Sequence, residues 1–395
     1  EIDLNVVRNT ILESPEVYGP ILDRTEDPIF SIDPCGCLDR DDALSITIMG
    51  NNVYKVSVYI ANVWLWIQVF DLWDTIGDRV STIYLPNIKR PMLPIIIGEH
   101  LCSLDKQQLR FGFVLDFYIH SDTIHTELLV NSQYKPTINQ CLLNVYANFD
   151  YEEPLLFSDK NYELLFKLTS RLDKNVKDSH EVVAFWMTQM NNYSAKILRE
   201  HKIGIFRTVQ SKNPHQQPNI EGLPSFVKII EQQIKGQYVL YNDNINYQHE
   251  MLGLSEYVHF TSPIRRMVDL LNQIQWIIQV VKPPQLLNPI VHFFETQTND
   301  IESLNKNMKN IRKLQQDCEI LYRFINDPQL TENTYEGIII SNSDKKTAVY
   351  IEEFKWLAYI PYNESYVKYR KIACKLYMFE KEEQMKRKIR IQIIS

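Results

Sequence analysis

No apolar run in this sequence approaches the roughly 20 residues that a helix needs to cross a bilayer. The candidates are short stretches such as Trp276 to Val281, which carries Gln279 inside it. A soluble protein with no membrane partner is therefore expected. The first residues, Glu1-Ile2-Asp3-Leu4, have neither the basic flank nor the apolar stretch of a secretory signal. With no initiator Met, the chain reads as a fragment of something longer. Cysteine is scarce and scattered. Cys35, Cys37, Cys102, Cys141, Cys318 and Cys374 fit neither a disulfide framework nor a pair of zinc-ligand pairs. A reducing, intracellular and cytoplasmic setting is expected. Positive charge is also short, since the net charge is −7. That excludes a protein that coats nucleic acid through bulk charge, so any such contact must be local.

What is present is ample core material. At 395 residues, 45% hydrophobic and 11% aromatic, the chain can bury a large interior and more than one domain. Ser14-Pro15 and Gly19-Pro20 break the first twenty-odd residues into an irregular lead-in over 1–23. From Ile29 to Ile67 the pattern is that of strands, and Val53 to Ile60 alternates as a strand with one buried face does. Pro86, Pro91 and Pro94 predict a loop, and Phe111 to Ile119 another buried strand. Helical spacing follows. Glu181 to His201 sets Val183, Trp186, Met190, Ala195 and Leu198 on one face. Ile301 to Ile325 does the same with Leu304, Met308, Ile311, Leu314, Cys318 and Leu321. Asn326-Asp327-Pro328 ends that helix, and Tyr335 to Ser395 returns to short strand-like runs, which places a boundary near residue 330.

Two segments carry chemistry. In SIDPCGCLDRDDALSI, residues 31–46, Asp33, Asp39, Asp41 and Asp42 crowd between apolar strands. Pro34 and Gly36 make a turn that folds Asp33 back beside the other three. On a regular strand Asp39 and Asp41 share a face that Asp42 opposes, so all four converge only on bent backbone. A divalent cation supplies the reason to converge. Hard oxygen ligands suit magnesium, with manganese the alternative, and four carboxylates can hold two ions about 4 Å apart for phosphodiester cleavage. A solvated acidic turn is the competing reading. In YVHFTSPIRRMVDL, residues 257–270, Ser262-Pro263 looks like the start of a helix whose first turn carries Arg265 and Arg266. Two cations there offer positive potential to a phosphate, while Asp269 can orient one guanidinium. An ordinary surface helix start competes with that.

Together the two segments resemble the RNB family of ribonucleases II and R, whose members carry an SIDP-type loop ending in DDA and a later HFTSPIRR. RVSTIYLPNIKRPMLP at 79–94, Leu101-Cys102-Ser103-Leu104 and the stretch from His201 to Arg207 match in the same order, so the resemblance spans roughly 24–325. It implies an α+β fold: an RNB domain over 24–330, with a mixed sheet wrapped by helices, followed over 331–395 by a small OB-type β-barrel. It also implies a processive, two-metal 3′-to-5′ exoribonuclease acting on single-stranded RNA and releasing nucleoside 5′-monophosphates. Carried across, Asp33, Asp39, Asp41 and Asp42 become magnesium ligands, and Asp41 is essential to catalysis. Arg265, with Arg266 beside it, steadies charge on the scissile phosphate. Tyr84 stacks on a base, Arg207 touches RNA, and Glu319 matches a Glu near the 3′ end.

The sequence departs from that pattern in several places. Arg40 stands between the second and third acids, where the family has an apolar residue, and can pair with a carboxylate in competition with metal. Tyr59 and Asn62 replace a His and an Asp. Ala184 and Phe185 replace paired Glu, and Gln273 and Ile274 replace His-Arg. A second aromatic clamp falls near Ile138, which is not aromatic. In the barrel, Lys368, Arg370, Lys371, Lys375, Lys386, Arg387, Lys388 and Arg390, broken by Glu380, Glu382 and Glu383, suit a surface that tracks phosphates. The cold-shock-like modules that usually precede an RNB domain lie upstream or were lost. The departures motivate an alternative: a catalytically weak RNB scaffold that binds RNA or a protein. A monomer is expected, with protein partners left open.

Overall fold

The computed structural model describes residues 3–77, 79–131, 133–210, 235–286, 288–343, 345–381 and 386–394. Contacts divide the chain into two compact units. The first comprises Glu1–Thr82, Pro91–Thr208 and Gln237–Asn305, and the second Ile83–Arg90, Val209–Gly236 and Lys306–Ser395.

In chain order the first strands are β1 (Ile21–Asp33), β2 (Asp42–Gly50), β3 (Val53–Ala61), the hairpin β4 (Ile83–Leu85) and β5 (Ile88–Arg90), β6 (Leu109–Ser121), β7 (Thr126–Leu129) and β8 (Ile138–Asp150). The hairpin lies in the second unit, where the prolines predict only a loop. In the first unit β1 pairs β2, β2 pairs β3, β3 pairs β6, β6 pairs β8, and β8 returns to β1. The ring therefore closes on itself, and β7 is added along β6. Only β1 with β8 runs parallel within the ring, aligning Asp33 with Asp150. Closure removes the unpaired edge of an open sheet.

A closed ring packed inside and out buries both faces of its strands. Val56 to Ile60 are all buried, so β3 does not have the single buried face that its alternation predicts. The helix Ser179–Glu200, capped by the Asp178 carboxylate accepting from the Glu181 N–H, covers the outside, with Trp186 against Phe117 at 5.5 Å between ring centroids. Its Val183, Trp186, Met190, Ala195 and Leu198 are all buried, as the spacing predicts. Where β6 is squeezed between β3 and β8 the sequence places Gly112. A Cβ there would stand 2.6 Å from the Leu143 side chain and 3.1 Å from the Ile60 carbonyl oxygen.

The lead-in is not irregular. Leu4–Glu13 is a helix capped by Asp3, and Pro15–Tyr18 is a second short one. Ser14-Pro15 separates two helices rather than abolishing them, because proline is tolerated at a first helical position.

After β9 (Ile205–Gln210) and β10 (Lys235–Leu240), which pair with each other, the second unit forms the expected barrel. Its strands are β11 (Tyr335–Ser343), β12 (Lys346–Ile351), β13 (Trp356–Pro361), β14 (Lys371–Lys381) and β15 (Lys386–Ile394), ordered 13-12-11-14-15 with the edges β13 and β15 meeting. Val349, Ile351, Trp356, Cys374 and Leu376 fill it together with Ile320 and Phe324 of the helix Ile301–Asn326. Those two are not on the stripe read from the sequence. Leu304 and Met308 of that stripe are buried, whereas Leu314 is 46% exposed. The last turns of the helix are rotated onto the barrel, which sets their buried face in place of a single heptad-like line.

Candidate active site

The loop 34–41 joins the end of β1 to the start of β2. Gly36 takes φ +76°, and the Cys37 N–H donates to the Pro34 carbonyl, so the chain reverses immediately after Asp33. Gly36 fits because such a backbone disfavours residues with a Cβ. The return limb is pinned on both sides. The Arg40 N–H donates to Ser103 Oγ at 3.1 Å, the Leu104 N–H to the Arg40 carbonyl at 3.0 Å, and the Ala61 N–H to the Asp41 carbonyl at 2.8 Å. The segment Leu101 to Leu104 thus serves as a strut for the acidic loop.

Against this loop lies the arginine segment, more than 220 residues away in sequence. The Ile264 N–H donates to Asp41 Oδ1 at 2.8 Å, and Arg265 Nε to Asp41 Oδ2 at 2.9 Å. Arg265 also donates from its second terminal nitrogen to Ser262 Oγ at 3.0 Å. Its side chain keeps 41% exposure while that of Asp41 keeps 1%. Arg266 turns inward, donating to Asp269 Oδ1 at 2.8 Å and Ser262 Oγ at 3.1 Å. The expectation that Asp269 orients one guanidinium is met by Arg266.

The helix itself starts later than Ser262-Pro263 suggests, at Met267. Arg265 and Arg266 precede it: the N–H groups of both donate to the Ser262 carbonyl, which closes a turn through Arg265, and Arg266 is extended and bridges to Ser81. The Thr82 N–H and Ser81 Oγ both donate to the Arg265 carbonyl at 2.9 Å, and the Met267 N–H to the Val80 carbonyl at 3.0 Å. The helix therefore begins only after that bridge, and Arg265 reaches Asp41 from the turn before it.

Burial sets the charge state of the acids. It pushes the Asp41 carboxyl up to about 7 against the pull of Arg265. Burial likewise raises Asp42 well above the usual carboxylate range, with the charges of Asp33 and Asp41 adding to it, and it raises Asp33 even though Ser31 and Arg40 oppose the shift. Arg40 does reach the cluster. Its Nε stands 3.6 Å from Asp33 Oδ2, but its terminal nitrogen is held by Asp105 Oδ1 at 2.9 Å. Burial pushes the Cys37 thiol, 3.8 Å from Asp39 Oδ1, up to about 12, which keeps it protonated.

Whether these residues suit a hard divalent cation has two sides. The donor chemistry fits: carboxylates driven together in a buried place carry repulsion that a cation relieves. The placement is drawn elsewhere, since Asp41 spends both oxygens on Ile264 and Arg265, and Asp33 Oδ2 accepts from Ser31 Oγ at 2.7 Å. Among the described residues no group of three or more His, Cys, Asp or Glu side chains is arranged so that it could hold an ion.

The other candidates belong to other elements. Tyr84 is on β4 and Glu319 on the Ile301–Asn326 helix, both in the second unit, with Glu319 paired to Arg323 at 2.9 Å. Arg207 sits on β9, its N–H donating to the Tyr257 carbonyl and its guanidinium 4.9 Å from the centre of the Tyr238 ring. The replaced positions are built into the interior. Tyr59 donates to Asp27 at 2.7 Å, Asn62 to Gln140 at 2.9 Å, and Gln273 to the Ala61 carbonyl at 3.2 Å. Sequence reasoning missed Tyr151. Its N–H donates to the Asp33 carbonyl, its hydroxyl feels the charges of Asp42, Asp33 and Arg265, and its ring stacks on His180 at 3.7 Å. These two rings help line a cleft of about 430 Å³ beside Pro34 and Cys35. No sequence signal marked it, because its place depends on β8 lying parallel to β1.

A carboxylate cluster at the end of a closed mixed sheet, answered by an arginine delivered from a distant segment, defines a phosphate-handling class of α+β proteins. Within that class the chain belongs to the RNB domain family, whose model matches residues 22–163 and 154–281. Ribonuclease R of Chlamydia pneumoniae is 23% identical over 82% of this chain and 56% of its own length. The chain thus spans little more than half the length of such curated relatives. The structure of Mycoplasma genitalium RNase R in complex with ribose-methylated single-stranded RNA superposes with a TM-score of 0.73 at 16% identity, covering 100% of this chain and 76% of that one. Yeast Ssd1, described as a pseudonuclease, superposes at 0.61 with 13% identity, covering 90% of this chain and 52% of that one.

Proposed function

We propose that this chain is the catalytic part of a 3′-to-5′ exoribonuclease that hydrolyses single-stranded RNA processively to nucleoside 5′-monophosphates. The observation that carries the reading is the junction at Asp41, where Ile264 and Arg265 clamp the acidic loop to the arginine segment and leave a face of the Arg265 guanidinium exposed. Asp33, Asp39, Asp41 and Asp42 would hold magnesium or manganese, which when bound supplies Lewis-acid polarisation of the phosphodiester. Arg265, already oriented by Asp41 and Ser262, presents planar donors to the phosphate oxygens. Arg266 holds Ser262 and Asp269 in place behind it. Tyr84, Arg207 and Glu319 are proposed RNA contacts, and the exposed Arg387, Lys388 and Arg390 of the barrel would meet the phosphate backbone. The side chain of Lys386, like Glu382 and Glu383, lies outside the described residues. The chain is proposed to act as a monomer inside the cell.

A second reading, an RNB scaffold with little turnover, is favoured by Tyr59, Asn62 and Gln273, whose hydroxyl and amide N–H donors are spent on internal hydrogen bonds. Magnesium-dependent release of mononucleotides from a 5′-labelled single strand tests both. Stepwise shortening to a small end product is expected. Tight RNA binding without any shortening would leave only the scaffold.

A further inference from the structure

Resting on that reading, we infer that Arg40 acts as a built-in cation of the acidic cluster, so that the site takes one divalent ion where four unopposed carboxylates could take two.

Two guanidiniums already stand among the acids. Arg265 pairs with Asp41 at 2.9 Å, and Arg40 Nε faces Asp33 Oδ2 at 3.6 Å. Once the four carboxylates are ionised, the two guanidiniums that face Asp33 and Asp41 leave two negative charges, which one divalent ion neutralises. Arg40 is not a surface side chain that has swung in. Its backbone is fixed on both sides by Ser103 and Leu104, and its terminal nitrogen is held by Asp105 Oδ1 at 2.9 Å. Asp105 is itself fixed by Ser103 Oγ at 3.0 Å and approached by Arg110 at 3.6 Å. Arg40 Nε is buried and makes no hydrogen bond, although it points at Asp33. A buried donor left short of its acceptor is costly, and a small movement of Asp33 toward it would satisfy it. Asp33 is thereby drawn toward Arg40 instead of toward a shared metal point. Arg40 is a positioning residue: it holds Asp33 and supplies charge, without touching substrate.

The test is Mn2+ binding to the whole RNA-free chain, followed by calorimetry and by the electron paramagnetic resonance signal of free Mn2+. The wild type is expected to bind one ion. Arg40→Met should bind a second, or the first about tenfold more tightly, since a unit charge within 4–6 Å shifts such equilibria by about 10-fold or more. Arg40→Lys, which keeps the charge, should remain at one ion. Asp105→Asn, which removes the carboxylate competing for the guanidinium without altering an acid of the cluster, should keep one ion and bind it more weakly, the opposite direction to the Met variant, and covers the case in which Arg40→Met does not fold. Unchanged stoichiometry and affinity in folded Arg40→Met and Asp105→Asn would overturn the inference while leaving the nuclease reading intact. No Mn2+ binding by the wild type or by any variant would overturn the metal reading, and this inference with it.

Discussion

Asp41→Asn separates what the acidic loop does for chemistry from what it does for stability. The Asp41 carboxyl is fully enclosed, and burial lifts it from the ordinary 3.8 to about 7 even with Arg265 and the Ile264 N–H favouring the anion. A raised carboxyl binds a proton in the folded chain that the unfolded chain has already released. Stability is therefore greatest below pH 4 as far as this group is concerned, falls as pH rises from about 4 to 7, and levels off above that. A shift of that size corresponds to about 4 kcal/mol at pH 8. Asparagine avoids the ionisation cost but keeps only one acceptor. Its amide N–H then faces the Arg265 N–H, and losing that charged hydrogen bond costs about 1.5–3 kcal/mol. The balance is a net stabilisation of about 1–2 kcal/mol at pH 8, with hydrolysis abolished and RNA binding retained. The assay is denaturant unfolding of wild type and variant from pH 5 to 8 in chelator, alongside turnover on single-stranded RNA. A variant less stable than wild type at pH 8, or one with an equally steep pH dependence, would refute the burial argument. Turnover at the wild-type level would refute the catalytic role.

Arg265→Lys should lower turnover by about 10²-fold, because one ammonium cannot make both the Asp41 contact and a planar contact with phosphate; a change below about twofold would make Arg265 a structural residue. Replacing Arg387, Lys388 and Arg390 together by Gln should weaken long-RNA binding and lower the log–log salt slope by about 0.7 for each phosphate no longer neutralised, while cleavage of very short RNA stays unchanged; an unaltered slope would mark these cations as a solvated face. Substitution leaves the core intact, whereas truncation near residue 330 would strip Ile320 and Phe324 of the barrel core that covers them. Gly112→Ala should cost about 1–3 kcal/mol, the usual penalty of overpacking, read as a lower melting temperature, because the new Cβ meets Leu143 and the Ile60 carbonyl; an unchanged melting point would mean that the ring breathes there.

The chemistry-bearing segments were legible because they are local. Asp33-Pro34 with Gly36, the DDA run and the Ser262 to Asp269 stretch each announce themselves within a dozen residues, and so do the strands and the barrel. What the sequence hid depends on partners far along the chain. Closure of the sheet rests on β3 meeting β6, and nothing in either strand states that pairing. The helix after the arginines starts at Met267 because Arg266 is held extended by its bridge to Ser81. Arg40 reads as a competitor for metal, yet its main partner, Asp105, is set by the fold. Tyr151 carried no motif and gained its place only when β8 lay parallel to β1.

The closed ring also dictates when the acidic site can be assembled during synthesis. β1 is made before its parallel partner β8, which begins at residue 138, and the Arg265 that clamps Asp41 comes still later. Contacts so distant form late, because their loop entropy must be met before they return any stabilisation. A nascent chain holding only the acidic loop therefore has no assembled site, and Asp41 stays open to solvent until the segment carrying Arg265 arrives.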